Sequence, residues 1–339
     1  MTTTVLDGRL AEEGAGTRRR PRLPAIDRLR GLALLAMAVY HFTWDLDYFG
    51  YIEPGTAASG GWRLFARGIA GSFLFLAGLS LVLGHGEGLR ARPFLIRLGK
   101  IAAAAALVSA GTWFAFPETF IFFGILHAIA AASVIGLLFL RLPAALTFAA
   151  AAAAAAAPLY LRAPLFDHPA LWWVGLSVQI PRSNDYVPLL PWLAPFLAGI
   201  GAGRLLVASS LPERLAATKE TVTSRWKILL AAAGRHSLAI YLIHQPVLIA
   251  LLYGFSLAVP APAADPVAGY RASCTQACEA ERGAGFCRRF CDCTLDRLME
   301  RDLFTDLTRG AIDVAKDGRI AAISAQCTAD AETQTDLKE

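Results

Sequence analysis

The sequence predicts an all-α fold: a polytopic membrane helix bundle of about seven transmembrane helices, with a small cysteine-rich C-terminal α-helical extension. Two observations predict this class. The 339-residue chain is 55% hydrophobic but only 17% charged, whereas soluble domains average roughly 25% charged residues. Apolar segments of about 20 residues, the length that crosses a bilayer, recur along the chain and stop near Pro260.

Each predicted helix is an apolar segment bounded by polar or helix-breaking residues. The segments cover residues 30–48, 63–84, 97–116, 120–140, 143–161, 188–207 and 236–258. The polar N-terminus, with no small-residue cleavage site after the first segment, favours a retained helix over a signal peptide. Pro117 cannot continue the third helix into the fourth. The glycines of GIGAG (199–203) are interpreted as a helix-packing site, because no strand precedes them as a nucleotide fold requires.

Basic residues indicate the orientation. If seven helices alternate in direction, the segments richest in lysine and arginine all lie on one side of the membrane. The positive-inside rule then predicts a cytoplasmic N-terminus and an exported C-terminus. The net charge of +5 is therefore interpreted as a topology signal, and no nucleic-acid partner is expected. Three regions follow: a cytoplasmic N-terminal segment (1–29), a transmembrane domain (30–259) and a cysteine-rich extracytoplasmic tail (260–339).

All the cysteines lie in the tail. They are Cys274, Cys278, Cys287, Cys291, Cys293 and Cys327. An even number of cysteines in an exported segment is typical of disulfides. The first four form two i,i+4 pairs around a glycine-containing turn, which favours two antiparallel helices joined by disulfides. The expected pairs are Cys274–Cys291, Cys278–Cys287 and Cys293–Cys327. A zinc site is the alternative, but the spacing fits no common finger and the tail has no histidine.

Three histidines lie inside predicted membrane helices. His41 is about eleven residues into its helix, roughly 16 Å deep, while His127 and His244 are each about eight residues into theirs. Ionisable groups at such depth usually face a protein interior or a cavity. A single one is explained by a neutral imidazole bonded between helices. Three at similar depth, one of them accompanied by a carboxylate, favour a buried polar site.

His41 and Asp45 are one helical turn apart and share a helix face. A carboxylate that accepts a hydrogen bond from one imidazole nitrogen fixes the tautomer and leaves the other nitrogen as a base. The pair predicts removal of a proton from an attacking amine or hydroxyl, with His41 as the base and Asp45 orienting it. An interfacial carboxylate in water is the alternative for Asp45.

Arginines gather at the predicted cytoplasmic mouth of the bundle. Arg30 begins the first helix, and Arg92 and Arg97 follow the second. Guanidinium groups suit phosphates, so these residues are candidates to bind an anionic nucleotide cofactor. The alternative is that they are topology signals only. No metal site is predicted.

Five segments, in order, resemble one family. They are AIDRLRGLALLAMAVYHFTWDLDYFGYI, GSFLFLAGLSL, FGILHAIA, DYVPLLPWLAPFLAGIGAGRLL and GRHSLAIYLIHQPVL. Over about residues 22–258 the chain resembles bacterial membrane proteins grouped with the catalytic domain of heparan-alpha-glucosaminide N-acetyltransferase. The first two segments also resemble the wider integral-membrane sugar O-acyltransferases, whose first helix carries a histidine in a similar Tyr-His-Phe context. The cysteine tail lies outside the resemblance.

The resemblance implies acetyl transfer in the bacterial inner membrane. The co-substrate acetyl-CoA would donate from the cytoplasm, and an amine or hydroxyl of a cell-envelope saccharide would receive the group. It implies that His41 is a general base or transient acyl acceptor and that Asp45 orients it. The implied CoA-phosphate ligands are Arg30, Arg92 and Arg97. The implied channel residues are His127, His244 and Gln245, with Asp185 at the outer mouth.

Two departures from the family pattern leave alternatives open. The lysosomal enzyme carries its proposed catalytic histidine toward the luminal loop, where this chain reads YFGYIEPG without one. N- and O-transfer therefore both stay open. The full enzymes have about ten or eleven helices, so either the site is smaller here or a second copy of the chain completes it as a homodimer.

A non-enzymatic membrane protein is the alternative function. It would be a small-solute transporter, or an anchor that presents the tail to a partner. A transporter favours internal repeats or paired broken helices, and no convincing repeat relates the two halves of this sequence. In an anchor, the histidines would serve only as hydrogen bonds between helices.

Overall fold

The structure, a computed structural model, describes residues 23–85, 88–209, 224–262, 265–279, 282–314 and 316–336. Every regular element within these ranges is helical, which confirms the predicted all-α class. The α-helices are α1 (Pro24–Tyr48), α2 (Gly60–His85), α3 (Ala91–Ala115), α4 (Ile125–Gly136), α5 (Ala144–Tyr160), α6 (Leu189–Ala208), α7 (Arg225–Arg235), α8 (Ser237–Ala258), α9 (Pro266–Glu279), α10 (Ala284–Glu300), α11 (Phe304–Thr308) and α12 (Gly318–Asp336).

A helix occupies each of the seven predicted apolar segments. Of these, α2, α3, α6 and α8 are long and apolar enough to cross a membrane, while α4 and α5 are apolar but shorter. The first helix begins earlier than predicted, because Pro24 suits a first helical turn and Asp27 there favours the positive end of the helix dipole. The fourth begins later than predicted, because Gly124 adopts an extended conformation and serves as its N-cap.

The chain forms two compact units. The first unit contains the described residues up to Leu34, together with Gly71–Ile240. The second unit contains Leu35–Ala70 and the described residues from Tyr241 onward. Both units are built from segments that are distant in sequence.

In the first unit, α2 and α6 pack backbone against backbone. A Cβ atom at Gly78 would overlap the carbonyl oxygen of Phe196, and one at Gly199 would overlap the carbonyl oxygen of Phe75. Close approach of this kind matters in a membrane, because lipid tails compete with apolar side chains and association depends on van der Waals packing. Gly203 lies against Val82 and Leu79 of the same partner helix. The GIGAG segment is therefore a packing site.

Substitution of Gly78 by alanine is expected to destabilise the protein by about 1–3 kcal/mol, because the added methyl group must displace backbone atoms of α6. Gly71→Ala is the matched control on the same helix: nothing lies within 4 Å of its added Cβ, so a gain of about 0.5–1 kcal/mol is expected. Thermal unfolding of the purified protein in detergent measures both. Equal stability of the two variants would contradict backbone contact at Gly78.

In the second unit, the tail is a small helical assembly joined by disulfides. The structure has the three predicted pairs, Cys274–Cys291, Cys278–Cys287 and Cys293–Cys327. Because every cysteine is in a disulfide, no thiolate remains to bind zinc. Between α10, α11 and α12 lies an apolar cluster. Its buried members are Leu295, Leu298, Leu303, Phe304, Ile323 and Cys327.

Candidate active site

In the second unit, α1 and α8 meet through two pairs of polar side chains. The ring centroids of His41 and His244 are 4.9 Å apart, with the ring planes inclined at 66° in an edge-to-face arrangement. Asp45 lies one turn after His41 on α1, and its Oδ1 atom accepts a hydrogen bond of 2.6 Å from the Nε2 atom of Gln245 on α8. Four residues that the sequence nominates as site residues are thus brought together.

Local hydrogen bonding indicates the tautomer of His244. Its Nδ1 atom lies 2.7 Å from the carbonyl oxygen of Tyr241, one turn earlier in α8. Because a carbonyl oxygen only accepts, Nδ1 carries the hydrogen and the Nε2 atom carries the lone pair in the neutral ring. The ring of His41 is half-buried and also contacts the ring of Tyr40, at 5.7 Å between centroids. The structure therefore indicates the tautomer of His244 and places its ring edge to face with that of His41.

Asp45 has a different partner from the one expected. The sequence predicts that it orients His41; in the structure, the hydrogen bond to its carboxylate comes from Gln245 on the facing helix. Sharing a helix face with His41 is not sufficient, because α8 places an amide donor within hydrogen-bond distance of Asp45 Oδ1. The side chain is 0% exposed, so the alternative of a carboxylate in interfacial water does not apply.

Two oxygen atoms of this pair lack hydrogen bonds. Asp45 Oδ2 and Gln245 Oε1 are both buried, and neither has a hydrogen-bond partner among the residues that the structure describes. Both atoms are acceptors only, if Asp45 is ionised. The arrangement therefore presents acceptors without donors one helical turn from the imidazole pair.

Asp47, two residues further along α1, has a structural role. Its Oδ1 and Oδ2 atoms accept hydrogen bonds of 3.0 Å from the backbone N–H groups of Gly55 and Ala57, respectively. Gly55 adopts φ +82°, a left-handed conformation that favours glycine. The loop after α1 is thus held against the end of the helix.

The first unit contains the arginine cluster. Arg30 donates to Asp27 at 3.2 Å and to the hydroxyl of Ser80 at 2.5 Å. The half-buried Arg97 of α3 lies near enough to Arg30 for the two charges to repel, and it forms no ion pair with any described residue. Arg92, in the first turn of α3, is exposed. The structure therefore brings Arg30 and Arg97 together. Sequence reasoning missed Ser80, because a lone serine in an apolar helix carries no pattern.

His127 also belongs to the first unit, whereas His41 and His244 belong to the second. Its Nδ1 atom accepts a bond of 3.2 Å from the backbone N–H of Gly124. Its Nε2 atom lies 3.2 Å from the hydroxyl oxygen of Ser109. Both ring nitrogens are therefore engaged at the N-terminus of α4. This geometry gives His127 a helix-capping role.

Asp185 caps the same helix from the long loop before α6. Its Oδ2 atom accepts a bond of 3.0 Å from the backbone N–H of Ile125. Gly124 has no room for a side chain, because a Cβ atom there would overlap this carboxylate. Burial raises the pKa of Asp185 above its ordinary value, and the bond from Ile125 opposes that shift. The cap connects residues 60 positions apart in the chain.

In a comparison with protein families, the chain matches an acetyltransferase family. The model of the catalytic domain of heparan-alpha-glucosaminide N-acetyltransferase matches residues 22–246, well over half of the chain. The chain belongs to this family. The matched range of this acetyltransferase family contains the imidazole pair, the Asp45–Gln245 pair and the arginine cluster, and it ends before the cysteine tail. Comparisons with curated proteins and with solved structures find no match.

Proposed function

We propose that the protein is an integral-membrane acetyltransferase that moves an acetyl group from cytoplasmic acetyl-CoA to an amine or hydroxyl of a cell-envelope saccharide. Membership of the acetyltransferase family supports acetyl transfer. The observation that carries the proposal is the imidazole pair of His41 and His244 between two apolar helices. Imidazole is the side chain best suited to accept and return a proton near neutral pH.

In the proposed mechanism, His41 is the general base. It accepts the proton of the attacking N–H or O–H group while the new bond forms to the thioester carbonyl carbon. Collapse of the tetrahedral intermediate breaks the C–S bond, and the leaving thiolate takes the proton back from the imidazolium. His244, whose ring orientation is fixed by Tyr241, holds the ring of His41 by edge-to-face contact.

Arg30 and Arg97 are proposed to hold phosphate groups of the donor. Two guanidinium groups that repel each other are stabilised together by an anion, and phosphate matches their geometry. The bonds from Arg30 to Asp27 and Ser80 fix one of the two groups before the donor binds.

The test is acetyl-CoA-dependent acetylation of a saccharide by the purified protein in liposomes. Arg97→Gln is expected to raise the KM for acetyl-CoA about tenfold or more, since a charge-assisted hydrogen bond contributes about 1.5–3 kcal/mol. Arg141→Gln, at an exposed arginine after α4, is the matched control and should leave this KM unchanged. If the wild type binds no acetyl-CoA, the protein is better explained as an anchor for the tail.

We also propose that the protein lies in the bacterial inner membrane with the N-terminus in the cytoplasm and the tail in the periplasm. The basic loops on one side support this orientation. The three disulfides support it independently, because disulfides persist in oxidising compartments. Membrane lipids and the saccharide acceptor are the proposed partners. Completion of the site by a second copy of the chain stays a prediction.

A further inference from the structure

Two of the four polar side-chain atoms of the Asp45–Gln245 pair have no hydrogen-bond partner among the described residues. Asp45 Oδ1 accepts from Gln245 Nε2 at 2.6 Å, while Asp45 Oδ2 and Gln245 Oε1 are buried without a partner in the described part of the chain. Native structures pair nearly all buried polar groups. A buried acceptor that stays unpaired costs about 1–3 kcal/mol, and more if it is charged. Such a pair calls for donors that the described residues do not supply.

A second carboxylate of the same helix shows that this deficit is not a general property of the segment. Both oxygens of Asp47 are occupied by backbone N–H groups of the following loop. Asp45, two residues earlier, has no such loop group for its Oδ2 atom. The described residues therefore pair both oxygens of the structural carboxylate, Asp47, but only one oxygen of Asp45.

The position of the Asp45–Gln245 pair relative to His41 indicates which chemical groups the pair would bind. Asp45 lies four residues, or about 6 Å of helix rise, from His41. A group bound there would belong to the same small molecule as the group that reacts at His41. The reacting amine itself is a poor candidate for this position, because a carboxylate stabilises its protonated, non-nucleophilic form. Neighbouring hydroxyls of a sugar ring supply two donors and carry no such penalty.

We infer that Asp45 Oδ2 and Gln245 Oε1 accept hydrogen bonds from two neighbouring, non-reacting hydroxyls of the acceptor saccharide. The two side chains thereby determine acceptor specificity and place the reacting group at His41. The inference rests on the proposed function and assigns Asp45 a role in binding the acceptor in place of orienting the base.

Asp45→Asn tests this role with little change of shape. In either orientation of the two amides, one of the two groups left for the saccharide becomes an N–H donor. A sugar hydroxyl that donates to the wild-type oxygen binds such a group less favourably. D-glucosamine binding to the full-length protein in nanodiscs, without acetyl-CoA, is measured by calorimetry. The Kd is expected to rise about tenfold or more, while acetyl-CoA binding stays unchanged. Asp47→Asn, whose carboxylate is already occupied, is the matched control and should leave the Kd unaltered.

Monodeoxy analogues of D-glucosamine make the test specific. In the wild type, removal of one or two particular hydroxyls should weaken binding, and in Asp45→Asn the same removals should cost much less. If Asp45→Asn fails to fold, Gln245→Asn, which withdraws the carbonyl by one methylene, is measured with the same analogues. The inference is overturned if D-glucosamine does not bind to the wild type, or if the variants and analogues show no such coupling.

Turnover separates this inference from the proposed function. An inactive protein that binds D-glucosamine through the pair upholds the inference and contradicts acetyl transfer. An active protein in which Asp45→Asn lowers kcat at unchanged acceptor KM upholds acetyl transfer, and it returns Asp45 to the role of orienting the base.

Discussion

Replacement of His41 by alanine is expected to lower the rate of acetyl transfer by a factor of about 10²–10⁴, the usual contribution of a general base. The variant should still fold, because the contacts of this ring are the edge-to-face contacts with Tyr40 and His244. Affinity for acetyl-CoA should stay near that of the wild type. Initial rates in liposomes, with saturating donor and acceptor, measure the effect.

Two comparisons make this result interpretable. His168→Ala removes an exposed histidine that accepts a hydrogen bond from the backbone of Ala170, and it should leave turnover unchanged. Exogenous imidazole should partly restore the activity of His41→Ala if the missing group is a base. Unchanged turnover in His41→Ala would contradict the proposed mechanism. An acetylated wild-type chain trapped in a single turnover would favour His41 as a transient acyl acceptor.

Removal of the Cys293–Cys327 disulfide is expected to cause a large loss of stability in the tail. The bond closes a sequence separation of 34 residues, and loss of such a cross-link costs about 3–4 kcal/mol in the chain-entropy description. Cys327 is also fully buried in the apolar cluster of the tail, so Cys293→Ala with Cys327→Ala is the least disruptive replacement. The loss of stability is expected to appear as faster amide hydrogen exchange in α10 and α12 of the full-length protein.

The disulfide Cys278–Cys287 provides the control. It closes a separation of only 9 residues, so its removal should cost about 1 kcal/mol less. A membrane-impermeant reductant added to intact cells should reproduce the loss of protection, since the tail is proposed to face the periplasm. Protection that survives the reductant would contradict that orientation.

The candidate site residues stand out in the sequence where burial of a polar group in an apolar helix is energetically costly. An imidazole or carboxylate within an apolar helix is expensive, so His41, Asp45 and His244 stand out without any coordinates. The pairs Cys274–Cys291 and Cys278–Cys287 were equally predictable, because i,i+4 spacing on two short helices allows few arrangements. Cys293–Cys327 then followed as the remaining pair. Family membership was predictable from the five segments that resemble the family.

The partners of those residues could not be predicted in the same way. The hydrogen bond between Gln245 and Asp45 joins positions 200 residues apart and depends on how α1 and α8 are rotated. The cap from Asp185 depends on the path of a long loop, and the contact of His127 with Ser109 depends on how α4 packs against α3. Helix α7 was missed because its polar residues exclude it from a search for apolar segments.

The close approach of α2 and α6 at Gly78 and Gly199 also restricts sliding of one helix along the other. A shift of α2 by one residue along α6 would bring Ala77 or Leu79 to the crossing, where no side chain fits. A shift by a single residue in either direction is therefore excluded. Ser80 lies two residues beyond Gly78, and its hydroxyl accepts from Arg30. The crossing of α2 and α6 consequently fixes the position along α2 at which Ser80 binds this guanidinium group.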